Sequence, residues 1–261
     1  MPALQHRGRA VSDVFLLLIS PFVGSFLGVL VLRLPRGAGV VAGRSRCPHC
    51  GTTLGVADLV PLLSYLARAG RCRDCGARLS RLYPGVELAA LGAAAWAFWV
   101  LPGGWLLWAG AALGWALLAL ALIDLRHYLL PDVLTLPLIP AGLAVAWLVD
   151  PAKLLPHAIG AAAGFGAFAA LAWGYRRLRG REGLGLGDAK LFAAAGAWVS
   201  WSGLGSVLLW AALPALAVTL VLGLRRGGLS GRTPLPFGAY LAAGLWLTWL
   251  YGPLQPAWAL S

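Results

Sequence analysis

The stretch that decides the fold is residues 105–123, WLLWAGAALGWALLALALI, which is followed at once by Asp124. It carries no charged side chain, and as one helix it is long enough to cross the roughly 30 Å hydrocarbon core of a bilayer. Similar runs fill the chain, because 60% of its 261 residues are hydrophobic and only 11% are charged. The sequence therefore predicts an all-α polytopic membrane protein.

Eight apolar segments can be counted along the chain, with soft boundaries. They cover residues 14–32, 84–102, 105–123, 133–149, 156–174, 189–203, 205–224 and 236–253. Small residues at helical spacing, as in Gly160 and Gly164, predict close helix packing. We divide the chain into a first transmembrane helix (1–34), a polar four-cysteine loop (35–82) and a seven-helix transmembrane domain (83–261).

The basic residues are distributed unevenly between the two sides of the predicted membrane. The net charge is +12, and of the 21 Lys and Arg residues eighteen fall in loops on one side and three on the other. Positive residues accumulate on the cytoplasmic side, so the cysteine loop is expected there and both termini outside. The same asymmetry explains the charge without a nucleic-acid partner, and anionic lipid headgroups are the expected neighbours of the basic loops.

All four cysteines lie in the polar loop, as the pairs Cys47/Cys50 and Cys72/Cys75, with twenty-one residues between the pairs. Each C-x2-C pair can present two thiolates from one tight turn, and two pairs complete a tetrahedral zinc site. A disulfide framework is the alternative, which a reducing cytoplasm disfavours. We predict a structural zinc ion, because four thiolates leave no position open for water.

Two aspartates stand at the ends of apolar segments. Asp124 ends the third segment and Asp188 begins the sixth, so both are expected at the same cytoplasmic interface. Gly185 and Gly187 remove side chains before Asp188, which lets another backbone approach or lets the chain enter its helix without strain. A carboxylate pair sharing one proton can cleave a peptide, since one group activates water while the other acts as acid. The helix dipoles favour Asp188 as the base.

Other interpretations of these acids stay open at this point. They could be interfacial caps paired with Arg126 and Lys190, a proton relay in a membrane transporter, or residues of an inactive scaffold protein. The transporter is the main alternative, because paired intramembrane acids can relay protons. The absence of an inverted repeat and the position of both acids at one interface argue against it.

Several motifs stand in a fixed order along the chain. They are Gly24-Ser25-Phe26-Leu27, Cys47-Pro48-His49-Cys50, Pro61-Leu62-Leu63-Ser64-Tyr65-Leu66, Cys72-Arg73-Asp74-Cys75, Tyr83-Pro84-Gly85-Val86-Glu87-Leu88, Asp124 with Pro131-Asp132, Gly185-Leu186-Gly187-Asp188-Ala189-Lys190, and Pro236-Phe237-Gly238. This set resembles the bacterial prepilin leader peptidases, the GxGD-type intramembrane aspartic peptidases of type IV pilus and type II secretion systems.

The resemblance implies a multi-pass protein of the bacterial inner membrane. Its expected activity is removal of the basic leader from prepilins or pseudopilins at the cytoplasmic face, with Asp124 and Asp188 as the catalytic pair. Many members of the family also methylate the new amino terminus with S-adenosylmethionine, and the cysteine loop is consistent with that second activity.

Three further charged residues are candidates for substrate binding or local support. Glu87 either favours the start of its helix electrostatically or contacts substrate or methyl donor. Lys190 is expected to pair with Asp188 or with lipid phosphate. We predict that Asp132 recognises the positive charge of the leader.

Overall fold

A computed structural model of the protein describes residues 11–37, 39–40, 45–53, 55, 58, 60–180, 185–225 and 235–254. Apart from two isolated β-bridges, every regular element in these residues is a helix, which confirms the all-α fold class. The α-helices are α1 (Val11–Arg33), α2 (Leu63–Ala67), α3 (Leu82–Val100), α4 (Trp105–His127), α5 (Asp132–Val149), α6 (Leu154–Arg179), α7 (Leu186–Arg225) and α8 (Phe237–Tyr251).

The chain forms two compact units, Met1–Ala119 and Leu120–Ser261, whose boundary falls inside α4. In the first unit α1 packs against α3, and the Trp115 indole N–H donates a 3.0 Å hydrogen bond to the Ala90 carbonyl oxygen. In the second unit α7 packs against α5, α6 and α8. The predicted division into a first transmembrane helix (1–34), a polar loop (35–82) and a transmembrane domain (83–261) describes position relative to the membrane, and it stays a prediction.

Small residues allow α6 and α7 to approach closely, as the glycine spacing predicted. A methyl group added to Gly160 would lie 2.6 Å from the Trp201 backbone nitrogen, and one added to Gly164 would lie 2.5 Å from the Phe192 carbonyl oxygen. Both distances are too short for real contacts, so glycine is required at each position. Helices that lack side chains at their interface gain van der Waals contacts between backbones.

Helix α7 is broken at Ser200, whose backbone has φ 65° and ψ 171°. Two helices over 189–203 and 205–224 are predicted here, so the break is real but lies earlier than expected. In the turn before it, the Ala197 carbonyl oxygen is 2.9 Å from Nδ1 of His157, which donates from α6. Its hydrogen bond supplies a donor where regular helical bonding is interrupted.

Five helical stretches among the described residues are long and apolar enough to cross a membrane. They are Val11–Arg36, Trp105–His127, Asp132–Val149, Pro151–Arg179 and Leu186–Arg225. The last has 40 residues and would extend about 60 Å, twice the hydrocarbon thickness, if it were straight. Helices α3 and α8, with 19 and 15 residues, are not among these five stretches. The protein is a helical membrane protein, and the number of eight spans stays a prediction.

Candidate active site

Asp124 lies in the last turn of α4, yet its carboxylate is held by a different helix. The side chain is buried, and its Oδ2 accepts a 2.9 Å hydrogen bond from the backbone N–H of Ala239, in the first turn of α8. Helix N-termini present unpaired N–H groups and a partial positive charge, which suit a carboxylate. The first turn of α8 therefore fixes the position of Asp124 within the second unit.

This hydrogen bond changes the expectation that helix dipoles favour Asp188 as the base. The dipole of α4 alone would distinguish Asp124 from Asp188, because one acid ends a helix and the other begins one. The structure places the Asp124 carboxylate against the N-terminal amides of α8, so both carboxylates face helix N-termini. The helix dipoles therefore do not decide which aspartate is the base.

Asp188 occupies the first turn of α7 and is partly exposed. Its backbone N–H donates to the Gly185 carbonyl oxygen at 3.1 Å, which starts the helix. A methyl group on Gly185 would lie 3.5 Å from Asp188 Oδ2, so the glycine leaves the face of the carboxylate open to a larger group. The carboxylates of Asp124 and Asp188 are close enough to interact electrostatically.

Leu130 packs between the first turn of α7, which carries Asp188, and the first turn of α8, which binds the Asp124 carboxylate. This buried side chain would lie 3.0 Å from a methyl group on Gly187 and 2.7 Å from one on Gly238. The same methyl group on Gly238 would lie 3.1 Å from Asp124 Oδ2. Gly187 and Gly238 thus make room for Leu130, which sets the spacing between α7 and α8 beside the acids. The sequence motifs contain both glycines but did not reveal that they contact one leucine.

Asp132 and Lys190 form an ion pair at the edge of this site. Lys190 Nζ lies 2.7 Å from both carboxylate oxygens of Asp132 and links the first turn of α5 to that of α7. The partner of Lys190 is therefore Asp132, whereas the sequence favoured Asp188 or a lipid phosphate. The pair is partly exposed, with 28% of the Lys190 and 56% of the Asp132 side chain accessible.

Glu87 belongs to the first unit. It is buried in α3, and its Oε2 accepts a 2.8 Å hydrogen bond from the backbone N–H of Leu62. Leu62 has a positive φ of 61°, so the loop before α2 bends sharply to reach the carboxylate. Glu87 thus fastens the polar loop to α3 rather than only complementing a helix terminus.

The four cysteines form a compact cluster in the first unit. Their sulfur atoms all lie within 4.8 Å of one another, with 3.8 Å between Cys47 and Cys75 and 3.9 Å between Cys50 and Cys72. These distances far exceed a disulfide bond, and all four thiols are free. Four sulfurs around a zinc ion at about 2.3 Å stand about 3.8 Å apart, so the cluster fits a tetrahedral thiolate site.

Both cysteine pairs use the same turn. In the first, Gly51 N–H donates to the Cys47 carbonyl oxygen at 2.9 Å, and in the second, Gly76 N–H donates to Cys72 at 3.1 Å. Each glycine has a positive φ, which lets the chain reverse after the second cysteine. Hydrogen bonding by Thr52 lowers the pKa of Cys50 to about 6, whereas desolvation and the neighbouring thiols raise the pKa of Cys75 to about 12, so the thiols of the cluster differ in acidity.

Fold and site together define a helical membrane protein with two interacting carboxylates at helix ends and a cluster of four thiols. The model of the type IV leader peptidase family matches residues 111–220, and that of the bacterial peptidase A24 N-terminal domain matches residues 18–101. These two regions contain the carboxylate pair and the cysteine cluster, respectively.

Relatives agree with both matches over nearly the full length of the chain. Proteins called prepilin leader peptidase/N-methyltransferase are similar to it in three bacteria. That of Aeromonas hydrophila is 39% identical over 94% of this chain and 92% of its own length. That of Burkholderia pseudomallei strain 1026b is 42% identical over 91% of this chain and 85% of its own length. That of Pseudomonas aeruginosa is 36% identical over 90% of this chain and 89% of its own length. This chain belongs to the type IV leader peptidase family. No solved structure matches it.

Proposed function

We propose that this protein is a membrane-embedded aspartic endopeptidase that removes the leader peptide from prepilins or pseudopilins and then methylates the new amino terminus. Relatives that cover most of the chain carry the name prepilin leader peptidase/N-methyltransferase. The observation that carries the peptidase part is that Asp124, held by the first turn of α8, interacts electrostatically with Asp188 at the start of α7. Neither the family nor the relatives support a transporter.

The proposed reaction uses one proton shared between the two aspartates. Asp188, at the start of α7, is assigned as the base that takes a proton from the attacking water. Asp124 gives its proton to the carbonyl oxygen as the water oxygen bonds to the carbon. When the C–N bond breaks, Asp188 returns its proton to the leaving amine and Asp124 regains one from the hydroxyl. Because the pair is coupled, its two titrations belong to the pair as a whole.

The remaining groups support this chemistry in distinct ways. Gly185 and Gly187 leave space for the substrate backbone and for Leu130, and the α8 amide of Ala239 fixes Asp124. Asp132 contributes negative charge for the basic leader and is paired with Lys190. When bound, S-adenosylmethionine would supply a methyl group to the new amine, with the electron pair of the broken bond left on sulfur and one amine proton released to water.

The metal that suits the cysteine cluster is zinc. Four thiolates at tetrahedral spacing match its preferred ligands, and a closed site of this kind serves structure rather than catalysis. Cys47, Cys50, Cys72 and Cys75 would hold it and join the two turns of the polar loop. The loop and both aspartates are proposed to face the cytoplasm of a bacterial inner membrane, as the distribution of basic residues favours.

The decisive experiment incubates the purified protein in lipid with a candidate prepilin and measures product mass. Wild type should remove the leader and, with S-adenosylmethionine, add one methyl mass. Asp124→Asn and Asp188→Asn should both lose cleavage, because neither carboxylate does both proton transfers. Asp150→Asn is the matched control, since Asp150 only caps a 3₁₀ turn through Ala152 N–H at 3.0 Å. Cleavage that persists in both site variants would refute the catalytic pair.

A further inference from the structure

The first turn of α8 holds the Asp124 carboxylate, but its own N-cap residue does not fasten it. That residue is Pro236, which makes no side-chain hydrogen bond to the first amides of the helix. The amide of Ala239 donates instead to Asp124 Oδ2 at 2.9 Å. Because this amide moves with its helix, any contact that fixes the start of α8 also fixes Asp124.

An aromatic cluster of three phenylalanines, one each from α6, α7 and α8, lies at this helix start. Phe168 of α6 stacks on Phe192 of α7, with ring centroids 4.3 Å apart and planes at 27°. The same ring contacts Phe237, the first residue of α8, with centroids 6.2 Å apart and planes at 36°. Both centroid distances suit favourable aromatic pairs. Phe168 therefore links α7 to the start of α8.

Phe192 connects the aromatic cluster to the second carboxylate. It lies one turn after Asp188 in α7, and residues four apart share a face of a helix. Phe168 and Phe192 are both buried, and Gly164, one turn before Phe168, brings the α6 backbone against the Phe192 carbonyl oxygen, 2.5 Å from an added methyl group. A change in the volume or shape of a side chain in such close packing must move its neighbours.

We propose that Phe168 is a positioning residue for the peptidase reaction. Its ring sets the spacing between the start of α7, which carries Asp188, and the start of α8, which holds Asp124. Its effect on the reaction passes through these two helix starts. The inference rests on the proposed function and adds α6 to the peptidase site, to which this helix contributes none of the groups assigned above.

Cleavage kinetics of a synthetic prepilin peptide, measured with the full-length protein in lipid nanodiscs, test the proposal. Phe168→Leu keeps an apolar side chain but removes the ring, so the helix starts should shift and kcat should fall about tenfold. KM should stay unchanged, because the loss falls on the chemical step rather than on substrate binding. Phe168→Met can still contact aromatic rings through its sulfur and should lose less activity.

Two controls separate positioning from general destabilisation. Phe165→Leu alters the same helix at a side chain that is 41% exposed, and it should leave kcat and Tm unchanged. Val207→Ala removes buried volume from α7 beyond the break at Ser200, where the Val207 backbone packs against Gly244 of α8. This second control should lower Tm without lowering kcat, because it lies away from the helix starts.

A double-variant cycle gives a readout that stability alone does not move. Phe168→Leu and Phe237→Leu disturb the same contact, so together they should lower kcat by about as much as the larger single loss. Phe168→Leu and Asp132→Asn should act independently, the first on kcat and the second on KM. Additive kcat losses from the two phenylalanines would overturn the positioning role, as would equal kcat in Phe168→Leu and Val207→Ala at similar Tm.

The outcomes separate this inference from the proposed function. A wild type that cleaves, aspartate variants that do not, and unchanged kcat in both Phe168→Leu and Phe168→Met would overturn the role of Phe168 alone. Cleavage that persists in Asp124→Asn and Asp188→Asn would overturn the catalytic pair and the positioning role together. If Phe168→Leu does not fold, Phe168→Met and Phe237→Leu carry the same expectation of reduced kcat at unchanged KM.

Discussion

At the scale of single residues, the environment of Asp124 shows how the site depends on groups far apart in sequence. The carboxylate belongs to α4, its hydrogen-bond donor Ala239 belongs to α8, and Leu130 fills the space between α8 and Gly187 of α7. Each of these residues is ordinary in a membrane helix when considered by itself. Their combination fixes one carboxylate against backbone amides and leaves the other partly exposed.

Gly238→Ala should impair cleavage through this contact. The added methyl group would lie 2.7 Å from Leu130 and 3.1 Å from Asp124 Oδ2, so both must move. A displacement near 1 Å at a reacting group can cost about a hundredfold in rate. We expect a loss of about ten- to hundredfold in kcat, measured on a synthetic prepilin peptide.

Gly166→Ala is the control, because a methyl group there meets no atom within 4 Å. Trimming Leu130 to alanine in the Gly238→Ala background should recover part of the activity by making room for the methyl group. Full activity in Gly238→Ala alone would show that the α8 contact does not position Asp124.

Asp132→Asn should raise the KM for a prepilin with a basic leader and leave kcat unchanged. The ion pair with Lys190 is partly exposed, so its loss should alter the free energy of unfolding by no more than about 1 kcal/mol. Lys190→Met leaves the Asp132 charge in place and should not raise KM. If the two variants behave alike, Asp132 serves only to hold Lys190.

At the scale of elements, the break in α7 explains how one long apolar run becomes two helices. Ser200 adopts φ 65° and ψ 171°, a region almost restricted to glycine, which costs a side-chain-bearing residue about 1 to 3 kcal/mol. Just before the break, the His157 ring donates a hydrogen bond to the Ala197 carbonyl oxygen. A strained residue persists only where its surroundings enforce the conformation, and here the close contact of α6 and α7 does so.

Ser200→Gly should therefore stabilise the protein by about 1 kcal/mol, since glycine adopts this backbone without strain. Thermal unfolding in detergent, followed by tryptophan fluorescence, should show a higher Tm. Ala217→Gly, at an exposed helical position in the same element, should show no gain because its backbone is already relaxed. A lower Tm for Ser200→Gly would mean that the serine hydroxyl contributes more than the strain costs.

The cysteine loop is the second element whose behaviour can be predicted. Elemental analysis should find one zinc ion per chain in the wild type and none in Cys47→Ser or Cys72→Ser, because three thiolates hold zinc less tightly than four. His49→Gln should keep its metal, since His49 is exposed and does not belong to the sulfur cluster. Metal lost from His49→Gln, or retained by both serine variants, would contradict a four-thiolate site.

At the scale of the whole molecule, the distribution of charge predicts the orientation in the membrane. Basic residues concentrate in alternate loops, which places the cysteine loop in the cytoplasm and the turn between α5 and α6 outside. A fluorescent protein fused after Ser80 should fluoresce, and alkaline phosphatase fused after Asp150 should be active. Exchanging the two reporters should silence both. The reverse pattern would show that charge does not set the orientation, and equal activity of one reporter at both sites would contradict the predicted number of spans between them.

The sequence by itself determined the class of the protein. Continuous apolar runs require helices in a bilayer, because a backbone without water must satisfy its own hydrogen bonds. The fixed spacing of Cys47, Cys50, Cys72 and Cys75 likewise predicted a metal cluster, since each pair needs only a local turn. The two aspartates were conspicuous because charge is costly near the membrane interior.

Only the tertiary structure decided which groups meet. A uniformly apolar helix has no amphipathic pattern from which its rotation can be inferred, so the pairing of Lys190 with Asp132 and of Asp124 with Ala239 was not predictable. The break at Ser200 and the hydrogen bond that Glu87 accepts from the Leu62 backbone N–H depend on packing between helices and loops distant in sequence. Local patterns specify elements, whereas contacts between elements follow from shape complementarity over the whole chain.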